Sequence, residues 1–125
     1  MQYIKGMQFY QNDKKTAITL GKFDGLHRGH ETLIERVIEH QKNDGVDSVV
    51  FAFDMAPLYE KIKKKKESLI TNEERAGRLF GRVDYLVECP FVEAVSKIEA
   101  ETFIKEILVK QFHAKYIVVG TDFHL

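Results

Sequence analysis

Two histidines with two residues between them, His27 and His30, lie in the glycine-containing segment GKFDGLHRGH at residues 21–30. This segment follows an apolar run and opens an amphipathic one, which predicts a strand, a tight loop and a helix N-terminus. A helix N-terminus offers unpaired backbone N–H groups and the positive end of the helix dipole, and nearby glycines let the backbone approach an anion. We therefore expect both imidazoles to face a bound phosphate, as in nucleotide chemistry.

The elements that must position these histidines follow an alternating pattern. Apolar runs rich in β-branched residues alternate with runs of helical period, which is typical of a parallel sheet covered by helices. The predicted strands are residues 16–20, 48–53, 83–87 and 116–119. Because each run is short and mostly apolar, we expect strands that are buried on both faces.

Three helices are predicted between these strands. The first spans residues 29–41, has its apolar stripe at Leu33, Ile34, Val37 and Ile38, and is stopped by the turn at residues 43–45. The second begins at a capping box, with Thr71 as the cap and Glu74 reaching back, and ends near Phe80. The last carries its apolar stripe at Phe103, Ile104, Ile107 and Leu108 and ends near His113.

Residues 54–70 are predicted to be a loop with at most one short helix. The loop includes the basic run from Lys61 to Lys66. Long loops in compact α/β domains often carry function, and a lysine run could attract phosphates at the rim of a site. A solvated surface loop is the interpretation we favour for this run.

Composition limits the class of protein. The 125 residues carry 19 basic and 19 acidic side chains, so no global charge favours nucleic acid or an anionic membrane. Cys89 is the only cysteine and cannot form an internal disulfide. No apolar stretch approaches the roughly 20 residues that span a bilayer, and the N-terminus lacks the features of a secretory signal. We expect a single domain over residues 1–125 that acts in the cytoplasm.

A second motif, taken together with the first, gives the sequence a resemblance to a known family. GKFDGLHRGH resembles the HxGH signature of the nucleotidylyltransferase superfamily, and its FDG glycine, Gly25, narrows the likeness to bacterial FAD synthetases. The segment VVGTDF at residues 118–123 is similar to that family's VVGxDF, about 90 residues further along the chain. The resemblance implies a Rossmann-like α/β nucleotidylyltransferase fold with a mostly parallel sheet and helices on both faces.

The resemblance also implies an activity, the transfer of AMP from ATP to FMN with Mg²⁺, giving FAD and pyrophosphate. His27 and His30 would be the catalytic donors to the triphosphate, and neither belongs to a recognisable set of metal ligands. The residues implied to bind the nucleotide or the flavin are Gly21, Lys22, Phe23, Asp24, Gly25, Gly29, Gly120, Asp122 and Phe123.

Some of these residues have equally simple structural interpretations. Asp24 is expected to hold loop amides rather than approach Mg²⁺, and Phe23 could pack under the loop instead of touching a nucleotide. Asp122 could form a turn beside Gly120. The glycines could serve ordinary turns, although tight turns and close phosphate approach need the same backbone.

The chain departs from the family pattern at three points. Lys22 replaces the common Asn, and the family's Phe-x-Pro-His-Pro segment is represented by residues 53–57, with Ala56 in place of the histidine. The family motif also continues beyond the point where this sequence stops at Leu125. We expect a domain that is incomplete at its C-terminus, from a parent protein in which a riboflavin kinase domain can follow.

Two alternatives remain beside the flavin interpretation. A cytidylyltransferase of the same superfamily shares the first motif but usually lacks the glycine at the position of Gly25 and the distal GxDF. A nucleotide- or flavin-binding remnant without catalysis would account for Ala56. Gly25 and Asp122 favour the flavin enzyme.

Overall fold

The computed structural model describes residues 1–22, 28–57 and 72–120, with the backbone alone for residues 28–29 and 72–75. In chain order the elements are β1 (Gln2–Lys5), a 3₁₀ turn (Met7–Phe9), β2 (Thr16–Gly21), α1 (Arg28–Asp44), β3 (Asp47–Asp54), α2 (Asn72–Leu79), β4 (Tyr85–Pro90), α3 (Glu93–Ser96), α4 (Ala100–Thr102), a π helix (Phe103–Gln111) and β5 (Ala114–Val118). The loop predicted around the lysine run and the Thr71 cap lie outside the described residues.

The five described strands form one sheet in the order β1-β4-β3-β2-β5, and every neighbouring pair is parallel. The central strands β2, β3 and β4 are buried along most of their length. Buried strands of this kind need apolar residues on both faces, which is why they were visible in the sequence as short continuous runs. The predicted parallel α/β sheet is confirmed.

Each face of the sheet has its own core. On one face, the strands pack through Ile18, Phe51 and Phe53 against Phe103 of the π helix and the adjacent Phe112. On the other face, α1 and α2 cover the sheet. The helices contribute Ile34, Val37 and Leu79 to this core, and the strands contribute Val50, Ala52 and Leu86. The prediction of helices on both faces is therefore confirmed.

α1 is the helix that the sequence predicted best. Ile34 and Val37 are fully buried, and Leu33 and Ile38 pack beside them at the edges of the stripe. The helix ends where Gly45 adopts a φ of 69°, and the Gly45 N–H donates to the Gln41 carbonyl at 2.9 Å. No helix among the described residues is long and apolar enough to cross a bilayer.

The strand predictions need three corrections. The edge strand β1 was missed because its four residues, QYIK, contain no continuous apolar run. The predicted strand 83–87 begins and ends too early, since β4 includes Glu88, Cys89 and Pro90. The predicted strand 116–119 is shifted, because β5 spans Ala114–Val118 and its alternating exposure hides its start.

The last predicted helix was wrong in its periodicity. The segment is a π helix, in which the Phe112 N–H bonds to the Ile107 carbonyl five residues back at 3.0 Å. The wider turn puts Phe103 and Leu108 on the buried face, whereas Ile104 is 39% exposed. The predicted α-helical stripe is therefore wrong at Ile104, because the π-helical backbone leaves this residue partly exposed.

Candidate functional site

The strand order reverses direction between β2 and β5. From β2 the chain adds β3 and then β4 on one side, and it returns to add β5 on the other side of β2. In open α/β sheets, the carboxyl ends of the strands at such a reversal form the crevice where ligands bind. The strand order alone thus predicts a binding crevice at this edge, without reference to any motif.

The ends of the two sequence motifs meet at this crevice. Thr19 of β2 is in register with Val118 of β5 in a parallel ladder. Gly21 and Gly120 each lie two residues beyond that pair, so both glycines are at the carboxyl edge of adjacent strands. Residues that are about 100 positions apart in the sequence are brought together by one strand pairing.

The N-terminus of α1 lies over the same edge. α1 begins at Arg28, so Gly29 and His30 are in its first turn. The first N–H groups of a helix have no partner within the helix and carry the positive end of its dipole. His30 is half-buried and lies four residues before Ile34, on the stripe of α1 that faces the sheet. Lys22 directly follows β2 and is exposed.

The structure therefore brings together five of the predicted site residues. They are Gly21, Lys22, Gly29, His30 and Gly120. The other predicted site residues lie outside the described residues: Phe23, Asp24, Gly25, His27, Asp122 and Phe123.

A bidentate ion pair anchors the first turn of α1. The Arg82 guanidinium donates to both carboxylate oxygens of Glu31, at 3.1 and 2.8 Å. Hydrogen bonding to Arg82 lowers the pKa of Glu31, and the same contact raises the pKa of Arg82. Glu31 also lies in the first turn, where the helix dipole favours a negative charge. The residue next to His30 is thus fixed to the segment that leads into β4.

Sequence reasoning missed a buried carboxylate near this site. The register of the sheet puts Lys5, Glu88, Ala52 and Gly21 in one row across β1, β4, β3 and β2. Glu88 is only 4% exposed, and strand alternation puts it on the face covered by α1. The signal was a single charged residue within the apolar run YLVEC. The predicted strand 83–87 ends one residue before Glu88.

The position where the family carries a histidine also lies at this edge. Asp54 ends β3, and its Oδ1 accepts a hydrogen bond from the Ala56 N–H at 3.1 Å. Phe53 and Met55, on either side of Asp54, are buried in the core under the π helix. Ala56 therefore lies two residues beyond the end of β3, at the same edge of the sheet as Gly21.

Cys89 offers no nucleophile to the crevice. The residue is 3% exposed, and burial raises the pKa of its thiol to about 11. A thiol with this pKa is almost wholly protonated at neutral pH, and the thiolate is the reactive form. Cys89 is thus a small buried residue near the end of β4. Among the described residues, no three His, Cys, Asp or Glu side chains are grouped as metal ligands.

Comparison with known families gives one family for nearly the whole chain. A family model described as FAD synthetase matches residues 9–125. A bifunctional riboflavin kinase/FMN adenylyltransferase from Buchnera aphidicola subsp. Schizaphis graminum is 29% identical over 98% of this chain. The protein of the same description from Escherichia coli strain K12 is 31% identical over 86% of the chain. The chain spans 40% and 35% of the lengths of these two relatives.

A solved structure has the same fold. A protein described as a macrolide-efflux protein from Streptococcus pneumoniae superposes with a TM-score of 0.82 and 24% sequence identity. The match covers 98% of this chain and 48% of that protein. The likeness supports the Rossmann-like architecture of the described residues.

Proposed function

Because the chain belongs to the FAD synthetase family, we propose that it is the adenylyltransferase domain, which transfers AMP from ATP to FMN and forms FAD and pyrophosphate. The observation that carries the proposal is the meeting of Gly21, Gly120 and the α1 N-terminus at the point where the strand order reverses. Phosphates bind where backbone N–H groups converge, and this edge supplies such groups.

The reaction needs positioning and charge stabilisation rather than a protein nucleophile. The terminal phosphate oxygen of FMN forms a bond to the α-phosphorus of ATP, and the bond from that phosphorus to the bridging oxygen breaks. Pyrophosphate leaves with the bonding electrons, so negative charge builds on it in the transition state. Donors held in place before the reaction stabilise that charge most effectively.

The chain's own donors would meet the triphosphate at the α1 N-terminus. We assign His30, in the first turn, and His27, just before the helix, as donors to the phosphate oxygens. Gly21, Gly25 and Gly29 would let the backbone come close to the phosphates, and the Lys22 ammonium would add positive charge at the rim of the crevice.

The remaining predicted residues would serve the nucleotide bases and the loops. Gly120, Asp122 and Phe123, which follow β5, would contact the nucleotide or the flavin. Phe23 and Asp24 would line or hold the loop between β2 and α1. Mg²⁺ would be held mainly by phosphate oxygens and water, which is its usual mode of binding beside nucleotides, and it supplies further neutralisation of the phosphates when bound.

The longer relatives suggest the context in which the domain acts. Since the matched relatives are described as bifunctional and are more than twice as long, a riboflavin kinase domain would supply the FMN in the parent protein. We expect both steps to take place in the cytoplasm.

The test replaces His30 with Ala. We expect the rate of FAD formation from ATP, FMN and Mg²⁺ to fall by about 10²-fold or more, the scale for the loss of one preorganised donor. His40→Ala is the matched control, because His40 lies on the same helix but about 15 Å further along its axis, stacked on Tyr116. Equal rates of FAD formation by His30→Ala and by the wild type would contradict the role of His30.

Two alternative activities are separated by the same assay. CTP-dependent transfer to an alcohol phosphate, without FAD formation, would identify a cytidylyltransferase instead. Binding of ATP without any turnover would identify the remnant, the alternative favoured by Ala56 at the edge of β3.

A further inference from the structure

Thr19 carries a buried hydroxyl whose hydrogen-bonding capacity is unused. The residue is 0% exposed, and its Oγ1 has no hydrogen-bond partner among the described residues. Its register neighbours on β3 and β5 are Val50 and Val118, so valine would fit the same surroundings. Burying an unpaired hydroxyl costs free energy that a methyl group would not. We therefore expect the hydroxyl to form a hydrogen bond when a ligand is bound.

The position of Thr19 indicates which partner. Strand alternation puts Thr19 on the same face as Ala17, which packs under α1 against Val37 and Val118. On that face the next position toward the carboxyl edge is Gly21, which has no side chain. Between Thr19 and the carboxyl edge, this face of β2 therefore carries no further side chain.

The stripe of α1 that covers this face reaches the carboxyl edge at His30. Ile34 packs against Val50 and Ala52, the register partners of Thr19 and Gly21, so this turn of the helix is level with both. One turn earlier on the same stripe is His30. From the core to the edge, the order on this face is therefore Thr19, then Gly21 without a side chain, and then the turn of α1 that carries His30.

We infer that Thr19 is a positioning residue for His30, and this inference rests on the proposed role of His30 at the phosphates. When nucleotide is bound, the Thr19 hydroxyl accepts a hydrogen bond from the ring nitrogen that faces away from the phosphate, directly or through one water over Gly21. An imidazolium has two N–H donors, so a ring that gives one to a phosphate can give the other to Thr19. A buried water at this place would have the polar partners that it needs.

The contact has a consequence for the protonation of His30. A hydrogen bond accepted from the imidazolium favours the charged form and raises the pKa of the ring. Loss of the hydroxyl therefore lowers the pKa of His30, so that the charged donor is lost at a lower pH. Activity of the variant should fall most at the alkaline end of the pH profile.

The experiment uses Thr19→Val, which keeps the shape and removes the hydroxyl. In the presence of ATP, we expect NMR titration to give a pKa of His30 that is lower by roughly 0.5 to 1, the scale of one hydrogen bond. At alkaline pH we expect kcat for FAD formation to fall about 3- to 10-fold for the same reason. His30→Gln assigns the imidazole signal, since the chain has five histidines.

Two control variants separate this role from a merely structural one. Thr19→Ser restores the hydroxyl and should restore the pKa of His30. Thr16→Val removes the other buried hydroxyl of β2, which donates to the Phe112 carbonyl at 2.8 Å. Thr16→Val should lower the melting temperature and leave the pKa of His30 unchanged, whereas Thr19→Val should melt no lower than the wild type.

The outcomes distinguish the inference from the proposed function. If the wild type binds ATP and Thr19→Val has the same His30 pKa and pH profile, Thr19 is only a packing residue. If the wild type binds ATP but forms no FAD, the proposed function fails, while the NMR titration still decides the role of Thr19. If His30 does not respond to ATP in the wild type, both its role at the phosphates and the inference for Thr19 are overturned, while FAD formation still decides the proposed function.

Discussion

His30 and Glu31 are neighbours in the first turn of α1, yet their side chains have different tasks. His30 lies on the stripe that faces the sheet, and Glu31 is held by Arg82 on another side of the helix. A rotation of about 100° per residue separates the two directions. At the scale of single residues, the helix period thus decides which of two adjacent polar groups can meet a ligand at the sheet edge.

Burial decides reactivity at the same scale, and Cys89 allows a direct test. Its pKa of about 11 and its 3% exposure predict that iodoacetamide modifies the native chain far more slowly than the unfolded chain. At about pH 8, the raised pKa alone should reduce the rate about 10²-fold, because only the thiolate reacts. Mass spectrometry with and without urea measures both rates. Equal rates would mean that the β4 end opens readily.

At the scale of elements, α1 is held to the rest of the fold by more than its apolar stripe. Glu31 near its start bonds to Arg82, and Gln41 near its end donates to the Asp84 carboxylate at 2.9 Å. Asp84 also accepts from the Ser48 N–H at 2.9 Å. Both ends of the helix are therefore tied to the short segment before β4, which fixes the height of the α1 N-terminus over the sheet.

The Glu31–Arg82 pair predicts a pH-dependent loss of stability in Arg82→Gln. Because the folded-state pKa of Glu31 is lowered, the pair stabilises the fold above the unfolded pKa near 4.5 and loses this effect as pH falls through the folded value. Both side chains are about one-third exposed, so we expect a cost of at most about 1 kcal/mol at neutral pH. Urea unfolding near neutral pH and at about pH 3 measures the difference.

The control for this prediction is Lys105→Gln, which breaks an exposed ion pair with Glu101 on the opposite face. We expect almost no change in its free energy of unfolding. A cost for Arg82→Gln that persists unchanged at acidic pH would mean that the arginine acts through packing and not through its charge.

At the scale of the whole molecule, the crevice exists because the chain crosses from one side of β2 to the other. The motif after β2 and the motif after β5 contribute to one site only when β5 pairs with β2. The residues of that site therefore come together only when β5, the last described strand in the sequence, has paired with β2. Ligand binding to such a site stabilises the folded state over the unfolded chain, which has no site.

This linkage predicts a thermal shift. Mg²⁺–ATP at about 100 times its dissociation constant should stabilise the chain by about 2.7 kcal/mol and raise its melting temperature. CTP at the same concentration should have a much smaller effect if the adenylyltransferase proposal holds. Differential scanning calorimetry compares the two nucleotides, with His30→Ala as the control that weakens the response. A larger shift with CTP would favour the cytidylyltransferase.

Local chemistry in the sequence was enough to predict most of the scaffold. The apolar runs of β2 and β3 and the stripe of α1 were predicted within a few residues, since burial demands apolar side chains at fixed periods. The edge strand β1 and the π-helical turn were not predicted, because an edge strand is only half-buried and a π turn depends on packing.

By itself, the sequence determined the class of fold and the family resemblance, and it led to the prediction of a phosphate site, because these depend on residue type and spacing. Only the tertiary structure decided that Gly21 and Gly120 share one edge, that Glu88 is buried beside it, and that the buried Thr19 hydroxyl has no partner among the described residues. These facts follow from strand order and register. Pairing between distant segments sets both, and no local pattern in the chain specifies them.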